Sequence, residues 1–132
     1  MLLKILKSLI SGATSRGRYS VSPPTQENIA KDWDSINNLL KLKGPSQLRQ
    51  ALITADKSLD NALKDIIPGE TMGERLKNAK DRFDPIMYNK IWEAHKVRNM
   101  TVHESGYEPP HFVLTDAVEN LRKALVSLGV RV

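Results

Sequence analysis

The stretch LRQALITADKSLDNALKDII, residues 48–67, decides the fold. Its apolar residues Leu48, Leu52, Ala55, Leu59, Ala62, Leu63 and Ile66 recur at steps of three and four. Over about five turns that is the period of one helix face, not of a strand. Gly44-Pro45 before it and Pro68-Gly69 after it set its limits. Upstream, Thr25 is placed to cap a helix after Pro24 whose inward stripe is Ile29, Trp33, Ile36 and Leu40. Downstream, Thr71-Met72-Gly73-Glu74 has the capping-box pattern and predicts a short helix with Leu76, Ala79 and Phe83.

Asp84-Pro85 is a further start signal. The fourth helix carries Met87, Ile91, Ala94 and Val97 and runs to Val102 or His103; Gly106 and Pro109-Pro110 then force a loop. A last helix is predicted from near Thr115, burying Val118, Leu121, Leu125 and Leu128 and stopping at Gly129. No run alternates with period two. The expectation is an all-α antiparallel bundle of four to five helices, with the second and fourth at its centre.

Composition narrows the chemistry. The 132 residues suit one domain. Cysteine is absent, which excludes disulfide scaffolds, thiolate zinc sites and Cys nucleophiles. No segment approaches the ~20 uncharged apolar residues that span a bilayer. The net charge of +5 is unevenly placed: residues 1–24 hold four basic side chains and no acid, leaving 16 basic against 15 acidic over 25–132. The chain thus divides into a basic tail, 1–24, and a nearly neutral domain, 25–132. In the tail, Leu2, Ile5, Leu6 and Leu9 share a helical face opposite Lys4 and Lys7. Three readings fit that pattern: a helix lying on a membrane surface through residues 1–11, an organellar transit segment in a eukaryote, or a helix packed on the domain or a partner.

The stretch with chemistry in it is Trp92-Glu93-Ala94-His95-Lys96-Val97-Arg98-Asn99-Met100-Thr101-Val102-His103. Arg98, followed by the polar Asn99 and then by His103 after four intervening residues, resembles the motif of the HEPN family of small helical domains. The resemblance covers about residues 25–130. It implies a helical bundle that works as a two-fold dimer and cuts RNA without a metal or other cofactor. It assigns Arg98, Asn99 and His103 to catalysis. By position in the chain His95, Lys96 and Tyr107 are candidate substrate contacts, against the alternatives that His95 is an ordinary surface or half-buried histidine and Lys96 a solvated charge. A ribonuclease of this kind acts in the cytoplasm and is expected to be restrained by an inhibitor or antitoxin protein. The toxin branch of the family often has a Tyr two residues after the His; here that position is Ser105 and the nearest is Tyr107, which sets the chain apart from that branch.

The residue types suit that chemistry on their own terms. Cleavage by the 2′-hydroxyl needs a base, an acid for the leaving oxygen and a cation against the charge gathering on phosphorus. Histidine titrates near neutrality and serves either proton role. Arginine presents a permanent charge and a planar fork to phosphate oxygens. Asn99 lies four residues before His103, so its amide is placed to orient the ring. No carboxylate cluster suited to a metal is evident. One geometric difficulty stands: at ~100° per residue, Arg98 and His103 point ~140° apart on a straight helix. Convergence needs fraying near His103, a reach around by Arg98, or two copies bordering one cleft.

Structural alternatives compete. Arg98 could pair with Glu93 or Glu104 on the helix surface, and His103 could cap its own helix. Trp33 and Trp92 read as core or interface anchors rather than base-stacking platforms. The competing function is a non-catalytic helical module that dimerises or docks on a partner, held at a membrane surface by residues 1–11.

Overall fold

Prolines and capping side chains set most helix starts in the structure, a computed structural model that describes residues 19–132. Helix α1 spans Pro23–Leu42 and its cap is Ser22, not Thr25: the Ser22 Oγ accepts from the Thr25 N–H at 3.4 Å. Ser22 also donates from N and Oγ to Asp65 Oδ2, each at 3.0 Å, tying the start of α1 to the end of the next helix. Helix α2 covers Pro45–Ile66, helix α3 Met72–Asn78, helix α4 Pro85–His103 and helix α5 His111–Ser127. Among the described residues there is no strand. The expectations for residues 1–18, the amphipathic helix and its membrane contact, lie outside the described residues.

The capping signals act largely as read. Thr71 Oγ1 accepts from Glu74 N–H at 3.1 Å, while the Glu74 carboxylate turns back one residue further, to the Glu70 N–H at 2.8 Å. Asp84 Oδ1 accepts from Met87 N–H at 2.8 Å. Helix α3 is shorter than its apolar spacing suggested: a 3-10 turn over Lys80–Arg82 follows it, and Phe83 packs into the core from beyond the helix. Helix α5 begins at His111, four residues before the expected Thr115, because Pro110 already supplies the break. Its end is a Schellman closure. Gly129, at φ +88°, lets Val130 N–H reach Leu125 O at 3.0 Å and brings Val130 into the core.

Helix α2 is the centre of the bundle and touches α1, α3, α4 and α5. Ten of its residues are buried, among them Leu52, Leu59 and Leu63 with no exposed surface. Burying each such leucine is worth roughly 1.5–3 kcal/mol. The second central helix is α5, with six buried residues, rather than α4, which buries only Ile91 and Ala94. The apolar stripe of α4 is narrow, since Met87 and Val97 are only partly covered and polar side chains share its inward edge. Helix α4 therefore lies against both α2 and α5 with a polar seam facing α2. That seam carries the candidate chemistry. No described helix is long and apolar enough to cross a membrane.

Candidate functional site

The polar seam is built around a carboxylate from the core helix. Asp56 lies on the buried face of α2 between Leu52 and Leu59 and is 1% exposed. His95 of α4 donates from its Nδ1–H toward both Asp56 oxygens, each at 3.1 Å. Arg98, one turn further along α4, brings its Nε to 3.5 Å from Asp56 Oδ2. That is an ion-pair contact without hydrogen-bond geometry, so Nε is a buried donor with no acceptor. The guanidinium is pinned at its other end as well, where Nη1 donates to Asn99 Oδ1 at 2.7 Å.

This arrangement answers several expectations. Arg98 pairs with Asp56, not with Glu93 or Glu104. Asn99 accepts from Arg98, and no bond joins its amide to the His103 ring. His95 is enclosed, its side chain 12% exposed against Asp56 and the edge of Trp92. Trp92 also meets Tyr88 edge to face, while Trp33 is a core anchor whose Nε1–H donates to the buried Ser58 Oγ at 3.0 Å. Lys96 is exposed on the outer side of α4.

His103 stands apart from this cluster. It is exposed at the last residue of α4 and lines an open groove of about 410 Å³ together with Arg49, Tyr107, Glu104 and Glu108. The groove lies where the first turns of α2 pass the end of α4. Helices α2 and α4 run antiparallel here: Asp56 faces His95 and Arg98, and Arg49 shares the groove of Thr101 and His103. The ~140° divergence of Arg98 and His103 is thus kept within the chain, with Arg98 turned into the seam and His103 toward solvent. Of the expected site residues, the structure joins His95, Arg98 and Asn99 in one cluster and His103 and Tyr107 in another. Asp56 and Arg49, both on α2, were not foreseen.

A second groove, about 490 Å³, separates α4 from α5, with Ala94, Val97 and Ala117 beneath it and Phe112 at its rim. Phe112 is 65% exposed. On the α5 side Arg122 Nε donates to Glu119 Oε1 at 3.0 Å, and this hydrogen bond holds the Glu119 carboxyl below the usual carboxylate range. Among the described residues no three His, Asp or Glu side chains gather as metal ligands. Compared with family models, with curated proteins and with solved structures, the chain matches none.

Proposed function

We propose that this protein is a metal-independent endoribonuclease of the HEPN kind, cutting RNA by attack of a 2′-hydroxyl on the adjacent phosphorus. The observation that supports the reading is an exposed histidine and a braced arginine on one helix, each in its own cluster. His103 opens into a groove at the end of α4, while Arg98 is held by a buried carboxylate behind it. In the reaction a base takes the 2′-hydroxyl proton, the O2′–P bond forms, the P–O5′ bond breaks and an acid protonates O5′. The products are a 2′,3′-cyclic phosphate and a 5′-hydroxyl. His103 performs one of the two proton transfers. A second copy in a two-fold dimer supplies the other, since one chain offers one histidine in that groove. Arg98, partly exposed, gives its remaining donors to the phosphate while Asp56 and Asn99 hold its guanidinium in place. The enzyme acts in the cytoplasm, restrained by an inhibitor protein.

The test is RNA cleavage by the full chain in the presence of EDTA, with the ends of the products identified. The expected result is a cyclic phosphate terminus, no cleavage of DNA, and loss of activity in His103→Ala with the helical spectrum intact. Equal cleavage by His103→Ala refutes the reading. The second reading, a non-catalytic helical interaction module, draws on Phe112 standing exposed over the groove between α4 and α5. It expects no RNA turnover at all, and an Arg98→Ala variant altered only in stability.

A further inference from the structure

The two arginines along the seam between α2 and α4 differ in what surrounds them. Arg98 has its charge opposed by Asp56 and one of its donors committed to Asn99. Arg49 is half-buried in the His103 groove, and among the described residues it makes no hydrogen bond or ion pair. It lies seven residues before Asp56, so the two share one stripe of α2 about 10 Å apart. Asp56 and Arg49 therefore occupy successive stations of the same seam, the first buried and the second in an open groove. A guanidinium that is partly desolvated and has no acceptor among the described residues is suited to bind an oxyanion through its planar fork. Tyr107, partly buried, lines the same groove as His103 and supplies an aromatic ring there.

We infer that Arg49 is the phosphate-binding cation of the His103 groove, taking a phosphodiester of single-stranded RNA whose neighbouring base stacks on Tyr107. This rests on the ribonuclease reading and adds to it a contact from α2, outside the arginine–histidine motif. Glu104 and Glu108 also line the groove and oppose a phosphate there. Binding consequently depends on direct contact with Arg49 rather than on a long-range positive field. Neutralising either acid strengthens it.

The experiment uses the full chain and a short fluorescein-labelled 2′-O-methyl RNA, which has the phosphates and bases of RNA but no nucleophile. Anisotropy titrations over a salt series read affinity and its salt slope together. Arg49→Ala is expected to weaken binding at least about tenfold. Its salt slope is expected to fall by about 0.7, one phosphate contact on a single strand. Arg49→Lys keeps the slope, and Glu108→Gln tightens binding a few-fold. Circular dichroism of Arg49→Ala and Arg49→Gln checks that the helices are unchanged. If the parent protein binds the probe and cleaves ordinary RNA while Arg49→Ala matches it in affinity and slope, the inference is overturned and the ribonuclease reading stands. If the parent protein neither binds the probe nor cleaves RNA, the ribonuclease reading fails and the inference with it.

Discussion

Removing the Asp56 carboxylate tests whether the seam between α2 and α4 is held by charge. In Asp56→Ala, Arg98 keeps its charge against a helix face that otherwise contributes leucine and alanine, and the His95 Nδ1–H loses both acceptors. Breaking a fully buried ion pair from one side costs about 3–5 kcal/mol. Asp56 is 2% exposed at its side chain but Arg98 is 29% exposed, so water relieves part of that penalty. The expected loss is roughly 2–3 kcal/mol. Urea unfolding followed by the helical circular dichroism signal reads it directly. At a slope of about 1.5 kcal/mol per M, the midpoint falls by roughly 1.3–2 M. A double-mutant cycle with Arg98→Ala separates the pair from the cavity. If the charge pair carries the effect, Asp56→Ala costs much less when Arg98 is already gone, by about 1 kcal/mol or more. A single-variant loss within about 0.5 kcal/mol, or strict additivity in the cycle, refutes the argument.

Two further perturbations probe the frame around the seam. Arg75, 8% exposed, forks onto Asp60 at 2.9 and 3.2 Å and donates to Gly69 O at 2.8 Å. Lysine cannot reproduce that fork, so Arg75→Lys is expected to lower stability by about 1–2 kcal/mol; an unchanged urea midpoint contradicts this. The Glu119 carboxyl is depressed by its hydrogen bond from Arg122, so the pair stabilises the fold above the ordinary carboxylate range, near about 4.3, and loses that contribution as pH falls through the lowered value. Both side chains are more than a third exposed, which limits the effect to a few tenths of a kcal/mol. Arg122→Ala should therefore melt slightly lower than the parent near neutral pH, and the gap should close as pH falls below the ordinary carboxylate range; a gap that does not narrow in acid contradicts the linkage.

Much of the bundle was legible because its signals are local. The stripe from Leu48 to Ile66, the Asp84-Pro85 start and the Gly129 stop each depend on neighbours within a turn or two, and each is found where the spacing put it. The misreadings come from competition between equally good local signals. Ser22 and Thr25 both flank Pro23-Pro24; the earlier cap prevails because Ser22 also bonds Asp65 across the bundle. Helix α4 was expected at the centre on the strength of four apolar positions. Its inward edge also has to accommodate His95 and Arg98, which leaves the denser stripe of α5 to fill the core.

The site divides along a different line. Arg98, Asn99 and His103 were visible as a motif because they share one helix, whereas their partners come from α2 and have no spacing in common with them. Asp56 is separated from His95 by 39 residues of chain. The one local sign of it was an acid on the inward stripe of α2 amid Leu52, Ala55 and Leu59, a position that demands a partner elsewhere once the helix is buried. That demand names the partner's charge but not its identity. Glu93 on α4 and Glu104 just past its end were the acids near Arg98 along the chain, and both lost to Asp56 because α4 turns Arg98 inward. Arg49 carried no such sign, since an arginine near a helix start is ordinarily solvated. Its meaning arises only where α2 passes the end of α4, with His103 in the same groove and no carboxylate bonded to it among the described residues. The same antiparallel crossing therefore sets the arginine of the motif against a buried acid, and places in the groove of the motif's histidine a second arginine that has no hydrogen bond or ion pair among the described residues, alongside Glu104 and Glu108.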